Sequence, residues 1–367
     1  MKWLVNPPSQ VTFPPVSIGF NPVLRTANLR QVRARLRPLL SAAALALAGG
    51  AAAIGAEGTA PSSVVLAVDG INMVRNLPVL VAQHAGCFAA EGLTVALKET
   101  SASAEIDQQM LDGTITGMVA YYHHTIVAQM DEHRQMEAII TMGAAPGYQV
   151  LVGTGTKQTI TSGADLKGKR IVTGGPHSAK TTSANWLLIH AGFTPADYTP
   201  LGTGDKNEIA RLLQSGEADL VVAPEADAER YLARKVARPF ADLCSAEGTR
   251  KAFGSVFPST VLYLSTPYVE GHPALAQHLV NAFAAALVYI NHHSPAEIAE
   301  LAPELAKGDA SKLSVLAAGM KMFATDGRMP ADAAAMEAKV VGIQFPQYQG
   351  VDVAKTFTNR FVDAVRP

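Results

Sequence analysis

A predicted strand that runs directly into a glycine loop and then into a helical pattern restricts the fold of this chain more than any other stretch. Residues 169–172 have the β-branched content of a strand, and Gly174, Gly175 and Pro176 let the backbone bend sharply after it. Apolar residues at helical spacing follow from Ala184. A helix that starts beside such a loop presents unpaired backbone N–H groups and the positive end of its dipole. The unit is therefore suited to hold an anion or another polar ligand group.

The same pattern of strand followed by helix recurs along most of the chain. The predicted strands lie at residues 63–68, 93–97, 116–120, 138–142, 149–152, 169–172, 198–201, 220–223 and 261–264. Such alternation predicts an α/β fold in which helices cover both faces of a parallel sheet. The loops that follow the carboxyl ends of the strands would then form the ligand crevice.

Ten residues near these strand ends are our candidates for ligand binding. They are Asn72, Ser101, Tyr121, His123, Tyr148, Gly175, His177, Ser178, Thr181 and Glu225. Hydroxyl and backbone N–H groups of the glycine loop suit a carboxylate or sulfonate, whereas the Glu225 carboxylate suits an amine or a hydroxyl. The set therefore favours a zwitterion or an amino-bearing heterocycle over a ligand that is anionic throughout. The alternatives are ordinary helix capping by Ser178 or Thr181 and packing of the aromatic residues within the core.

Charge and cysteine content argue against several other functions. The formal net charge is −1, so no nucleic-acid or membrane-surface partner is indicated. Cys87 and Cys244 are far apart, and no Cys-x-x-Cys or Cys/His cluster is present, so we expect no metal and no cofactor. Free thiols are expected, with a single disulfide as the alternative. The stretch 174–181 is close to a nucleotide-binding P-loop, but Ala179 replaces a required glycine, so we interpret the match as coincidence.

The first 60 residues have the layout of a secretory signal. Five arginines between residues 25 and 37 precede an uncharged apolar run at 39–53, and small residues follow it. The run is short and rich in Ala and Gly, which argues against a membrane span. An uncleaved N-terminal anchor is the alternative. We therefore expect residues 1–60 to form an N-terminal extension and signal peptide, and the mature protein to be periplasmic.

Several separate stretches together resemble one protein family. They are residues 77–95, 111–119, 165–172, 212–225, 326–330 and 358–363. In this order they resemble solute-binding proteins of the nitrate/sulfonate/taurine type, which belong with the binders of thiamin pyrimidine precursors. The resemblance implies a periplasmic-binding-protein type II fold, with two α/β lobes joined by crossover hinge strands near residues 148–152 and 259–264. Lobe 1 would comprise residues 61–150 and 260–367, and lobe 2 residues 151–259.

The resemblance also implies a function. A receptor of this kind captures a small-molecule solute between its lobes by hinge closure and delivers it to the ABC permease subunits in the inner membrane. We expect a monomer that binds a small organic anion or zwitterion of the sulfonate or carboxylate type. The alternatives are a nitrogen heterocycle, such as a thiamin pyrimidine precursor, and a role as the ligand-sensing subunit of a signalling system.

An enzyme is a further alternative, because some fungal relatives make the thiamin pyrimidine with a cysteine-rich motif and a histidine. Here Cys87 and Cys244 are isolated, so that chemistry lacks its residues. No Ser-His-Asp or paired-carboxylate arrangement is visible in the sequence either. We therefore predict no catalytic residues and no enzyme activity.

Overall fold

The computed structural model describes residues 62–132, 135–176, 178–306 and 308–365. The expected signal peptide, residues 1–60, therefore lies outside the described residues, and so does the candidate ligand residue His177. The strands are β1 (Ser62–Val68), β2 (Leu93–Glu99), β3 (Gly117–Tyr121), β4 (Met136–Thr141), β5 (Tyr148–Gly153), β6 (Arg170–Thr173), β7 (Thr199–Gly202), β8 (Leu220–Pro224), β9 (Ala237–Leu243) and β10 (Thr260–Ser265). The helices are α1 (Leu77–His84), α2 (Cys87–Ala90), α3 (Ala104–Leu111), α4 (His123–Glu132), α5 (Ala179–His190), α6 (Lys206–Ser215), α7 (Glu225–Ala233), α8 (Ala246–Phe253), α9 (Thr266–Gly271), α10 (Pro273–His292), α11 (Pro295–Leu301), α12 (Pro303–Ala306), α13 (Ala310–Gly319) and α14 (Ala331–Gln344).

Two five-stranded sheets organise the chain, in the orders β2-β1-β3-β10-β4 and β7-β6-β8-β5-β9. We call each sheet with its covering helices the first half and the second half. In the first half β1 runs parallel to β2 and β3, and in the second half β6 runs parallel to β7 and β8. By contrast, β10 is antiparallel to β3 and β4, and β5 is antiparallel to β8 and β9. The α/β prediction is confirmed. The expectation of purely parallel sheets is wrong for β5 and β10, because the chain enters each of these strands from the other half.

Alternating side chains place each strand of the first sheet between two apolar layers. Val64, Leu66 and Val68 of β1 are buried in one core cluster, whereas Ala67 is buried in another on the opposite face. Apolar residues of α1 and α10 complete the first cluster, and those of α3 and α4 contribute to the second. Both faces of the sheet are therefore covered by helices, as the strand–helix alternation predicts.

Helix α10 is the only helix in the described part of the chain that is long and apolar enough to cross a membrane. Its apolar stripe of Leu279, Phe283, Leu287 and Ile290 is buried in the core of the first half. The Phe283 ring packs edge-on against the ring of Phe88, with centroids 5.3 Å apart. These contacts are those of a core helix.

Two segments, residues 142–147 and 254–259, connect the halves and run side by side. The Ser259 N–H donates to the carbonyl oxygen of Gly143, and the Phe257 N–H donates to that of Ala144, each over 3.1 Å. These segments adjoin residues 148–152 and 259–264, near which the crossover hinge is expected and which β5 and β10 largely occupy. Their action as a hinge stays a prediction. The division into lobes at residues 151 and 259 stays a proposal.

Candidate functional site

A cavity of about 260 Å³ lies where elements of both halves meet. The first half contributes the start of α3, the start of α4 and β10, and the second half contributes the first turn of α5. The carboxyl end of α14 closes the cavity. Polar side chains in its lining include Asp107, His123, His124, Thr182, Tyr263 and Gln344. Most of the remaining wall is apolar, so the cavity resembles a small-molecule site with a few polar groups that fix orientation.

Tyr263 on β10 presents a buried hydroxyl to this cavity. The side chain is 0% exposed, and its hydroxyl has no hydrogen-bond partner within the described ranges. Burial, followed by the charges of Asp107 and Asp69, raises the pKa of the phenol well above its usual value. The neutral hydroxyl can donate and accept a hydrogen bond. Because a buried polar group without a partner costs about 1–3 kcal/mol, the site favours a solute that reaches this oxygen.

The two histidines of the cavity form a ring pair. The centroids of His123 and His124 are 4.2 Å apart. Burial, followed by the charge of Arg75, lowers the pKa of His124 to about 4, so its imidazole is neutral at neutral pH. None of the described residues that line the cavity is Lys or Arg, whereas Asp107 adds a carboxylate. The cavity itself therefore suits neutral or cationic groups better than anions.

Arg75, which precedes α1, supplies a positive charge beside the histidine pair. Its Nη2 donates to the Asp69 carbonyl oxygen over 2.7 Å and to Asp69 Oδ2 over 3.0 Å. The guanidinium carbon lies 5.5 Å from the centre of the Tyr121 ring, within cation–π range. Sequence reasoning passed over Arg75. Its place in the loop after β1, behind Asp69, was the signal that could have found it.

The phenols of Tyr121 and Tyr148 lie close enough to interact electrostatically, and the Tyr121 hydroxyl donates to the Pro146 carbonyl oxygen over 3.5 Å. Burial raises the pKa of both groups, so both remain neutral. Tyr121 lies at the end of β3, with its ring centroid 6.1 Å from that of His123. The Tyr121 ring thus lies beside both Arg75 and the cavity residue His123.

The Glu225 carboxylate is already engaged by protein groups. Its Oε2 accepts hydrogen bonds from Gln149 Nε2 over 3.1 Å and from Cys244 Sγ over 2.9 Å. Strand pairing sets Pro224 opposite Tyr148, so Glu225 lies close to the cleft. Burial and the neighbouring Glu225 raise the pKa of Cys244 far above its usual value. Both cysteines are free, as expected, and Cys244 stays a thiol.

The hydroxyl groups of the glycine loop satisfy their own backbone. Thr181 Oγ1 lies within hydrogen-bond distance of the carbonyl oxygens of Gly174 (3.2 Å) and Gly175 (2.9 Å). Ser178 Oγ accepts from the Thr181 N–H over 3.3 Å, and Ser178 is the N-cap of α5. These are the contacts of the capping alternative. The next residue, Thr182, is the one that lines the cavity, and sequence reasoning did not single it out.

The remaining candidates lie at the surface. Asn72 and Ser101, at the ends of β1 and β2, are exposed, and so is Gly175. Ser103, two residues after Ser101, accepts from the Ile106 N–H over 3.4 Å and lines the cavity. Of the ten candidates, His123 lines the cavity, and the Tyr121 ring lies beside that of His123. Among the described residues, no group of three or more His, Cys, Asp or Glu could hold a metal ion.

Comparisons with known proteins agree with this architecture. Residues 74–298 match the family described as NMT1/THI5 like. A protein from Bordetella bronchiseptica RB50 is 26% identical, with a TM-score of 0.62 over 82% of this chain and 96% of that chain. No curated protein matches the chain.

Two further solved structures share the fold at lower identity. The periplasmic aliphatic sulphonate binding protein SsuA from Escherichia coli is 16% identical, with a TM-score of 0.59 over 82% of this chain and 92% of that chain. The desulfurization enzyme DSZB is 17% identical, with a TM-score of 0.54 over 82% and 98%. At such identities the likeness shows the fold alone. That fold is the one of periplasmic binding proteins, which confirms the predicted fold class.

Proposed function

This chain belongs to the NMT1/THI5-like family, and on that premise we propose that it is an extracytoplasmic solute-binding receptor of an ABC importer. The observation that carries the proposal is the cavity between the halves, where the buried Tyr263 hydroxyl has no hydrogen-bond partner among the described residues. A receptor needs such a polar contact that only the bound solute completes. The fold shared with SsuA supports the same conclusion.

Binding is a better account of the site than catalysis. DSZB shares the fold and is an enzyme, so the fold alone does not separate the two functions. In this chain the thiol nearest the site, Cys244, is buried and donates to Glu225. A thiol needs a lowered pKa to act as a nucleophile, and here burial and a carboxylate raise it.

For the ligand we propose a small zwitterion with a sulfonate or carboxylate and an amino group. The anionic group would lie near Arg75 and the Tyr121 ring. The Arg75 guanidinium already pairs with Asp69, but its buried Nε has no hydrogen-bond partner among the described residues and can donate to the anion. The amino group would enter the cavity, where Asp107, Tyr263 and the neutral His124 accept hydrogen bonds. The volume of about 260 Å³ suits a solute smaller than a typical drug molecule.

A nitrogen heterocycle is the second candidate ligand. The paired rings of His123 and His124, and the edge-on pair of Phe345 and Tyr348 with centroids 5.8 Å apart, line the same cavity. Flat aromatic faces of this kind favour a flat ring. Asp107 would then accept from a ring amino group.

The cellular setting follows from the same proposal. The secretory layout of residues 1–60 and the fold of a periplasmic binding protein support a periplasmic location. The partners would be the solute and the ABC permease subunits in the inner membrane, with the receptor acting as a monomer.

Isothermal titration calorimetry of the folded protein at pH 7.5 tests the proposal. The panel is taurine, ethanesulfonate and 4-aminopyrimidine, which separate zwitterion, anion and heterocycle. We expect taurine or 4-aminopyrimidine to bind at least tenfold more tightly than ethanesulfonate. The variant Tyr263→Phe removes only the hydroxyl oxygen and should weaken binding of the solute by about tenfold. Absence of binding by every member, with the protein folded, would refute the ligand classes proposed here.

A further inference from the structure

Helix α14 belongs to the hydrophobic cores of both halves. Ala334 and Val341 are buried in a core cluster of the first half. Val340 is fully buried in the core of the second half, and Met336 and Ile343 pack against that same core. The helix also packs directly on α4 of the first half and α5 of the second. If the halves separate, α14 must therefore lose its packing against the core of one of them.

Two polar side chains of α14 fix it to α5. Glu337 Oε2 accepts a hydrogen bond from Trp186 Nε1 over 3.0 Å. Gln344 Oε1 accepts from Asn185 Nδ2 over 2.9 Å, and Gln344 Nε2 donates to the carbonyl oxygen of Pro176 in the glycine loop. The hydrogen bonds of Gln344 lie at the edge of the cavity, because Gln344 lines it.

The Glu337 carboxyl group is poorly suited to carry a charge. Glu337 is 1% exposed, and its Oε1 has no hydrogen-bond partner within the described ranges. Burial raises the pKa of Glu337 to about 8, and the Trp186 hydrogen bond offsets only part of that rise. A buried carboxylate without a cation costs several kcal/mol, whereas the neutral acid costs far less.

Among the described residues, no titratable group supplies Glu337 with a compensating charge, since burial and the Trp186 hydrogen bond account for its pKa. Its electrostatic neighbours are the phenols Tyr121 and Tyr122, both neutral because burial raises their pKa. On α5 the contacting group is the uncharged Trp186.

The other titratable groups of α5 are Lys180 in its first turn and His190 at its carboxyl end. On α4, His123 and His124 line the cavity near Val341, and Tyr348 lines it on the turn after α14. In the turn at residues 353–355, Lys355 pairs with Asp352 over 3.3 Å.

We infer that α14 is a bridge that holds the two halves together over the cavity while Glu337 keeps its proton, and that loss of this proton loosens α14 from α5. The ionised carboxylate regains water only if α14 moves away from Trp186. Such a movement would also break the Gln344 contacts and release the glycine loop. The bridge is thus a pH-sensitive closure, and it requires no ligand to operate.

Fluorescence of Trp186 tests the inference in the protein without solute. The chain has two tryptophans, so a Trp3→Phe background leaves Trp186 as the only tryptophan, and excitation selective for tryptophan reports on it alone. Emission and amide hydrogen exchange are followed from pH 6 to pH 9.5, with exchange corrected for its intrinsic pH dependence. The opening equilibrium rises about tenfold per pH unit up to the folded pKa of about 8 and levels off above it. We therefore expect about tenfold faster corrected exchange in α5 and the loop at 174–176 at pH 9 than at pH 7, with a red-shifted emission.

Two variants provide the comparison. Glu337→Gln keeps an acceptor for the indole N–H and cannot ionise, so both pH responses should vanish. Glu300→Gln, at an exposed position on α11, should leave them unchanged. A pH-independent Trp186 emission and α5 exchange in the parent protein would overturn the inference, and this outcome is decisive even if the Glu337 variant does not fold. A response that persists in a folded Glu337→Gln variant would overturn it as well. Neither result depends on whether the protein binds any solute.

Discussion

Substitution of Gly143 by alanine would introduce a methyl group where the connecting segments 142–147 and 254–259 contact each other. A Cβ atom at this position would lie 2.0 Å from Ser259 Oγ and 2.8 Å from the Thr260 nitrogen, well inside van der Waals contact. The segments cannot separate freely, because the Gly143 N–H donates to the Thr260 carbonyl oxygen over 2.9 Å and the Ser259 N–H donates to Gly143. Overpacking costs about 1–3 kcal/mol, and a weakened buried hydrogen bond adds about 1 kcal/mol. We therefore expect Gly143→Ala to lower the free energy of unfolding by about 2–4 kcal/mol.

Three control variants isolate the cause of that loss. Ser259→Ala should be close to neutral, because Ser259 Oγ is buried without a partner among the described residues. The double variant Gly143→Ala/Ser259→Ala should recover part of the loss, since the clash with Oγ disappears and the one with the Thr260 nitrogen remains. Gly175→Ala, where an added Cβ meets no atom within 4 Å, should change stability by less than about 0.5 kcal/mol.

Urea denaturation followed by circular dichroism measures all four variants and the parent. The midpoint should fall clearly for Gly143→Ala and hardly move for Gly175→Ala, with similar slopes throughout. A Gly143→Ala variant within about 0.5 kcal/mol of the parent would show that the segments do not approach each other as closely as described. Failure of Ser259→Ala to improve the alanine variant would refute the assigned contact.

Further variants test the Arg75 charge, the buried Glu337 carboxyl group and the N-cap of α11. Arg75→Gln should weaken the binding of a sulfonate-bearing solute by about 10- to 100-fold, as expected for the loss of a charge-assisted contact, and calorimetry measures it. The stabilising contribution of neutral Glu337 should be complete below its unfolded pKa of 4.5 and should be lost as the pH rises through about 8. The free energy of unfolding measured from pH 5 to pH 9 should therefore fall by a few kcal/mol at most in the parent and should change less in Glu337→Gln. Ser294→Ala, which removes the capping box with Glu297 at the start of α11, should cost about 1 kcal/mol in the same urea assay.

The strand–helix alternation was sufficient to predict the fold class, because β-branched runs and helical spacing are local signals. The direction of β5 and β10 was not predictable in the same way. A strand has the same hydrophobic pattern in either direction, and only the path of residues 142–147 and 254–259 between the halves decides it. The crossing itself depends on the contact of Gly143 with Ser259, which no local pattern reveals.

The candidate site was predictable at the level of loops and less so at the level of residues. His123 and the start of α5 could be found because loops after strands form the cleft. Tyr263 and Gln344 reach the cavity from elements far along the chain, and no local pattern distinguishes them from core residues. Thr181 was an attractive candidate because its hydroxyl lies at a helix start, yet that hydroxyl bonds to the loop carbonyls. A hydroxyl that can satisfy its own backbone is a weak indication of ligand contact.

A crystal structure of the protein grown with the tightest binder of the calorimetric panel would show directly where the solute binds. We expect the solute in the cavity between α4, α5 and α14, with a polar atom within 3.2 Å of the Tyr263 hydroxyl, a typical hydrogen-bond distance. Its anionic group, if it has one, should point toward Arg75. Solute bound elsewhere on the protein, with the Tyr263 hydroxyl still without a partner, would contradict the account.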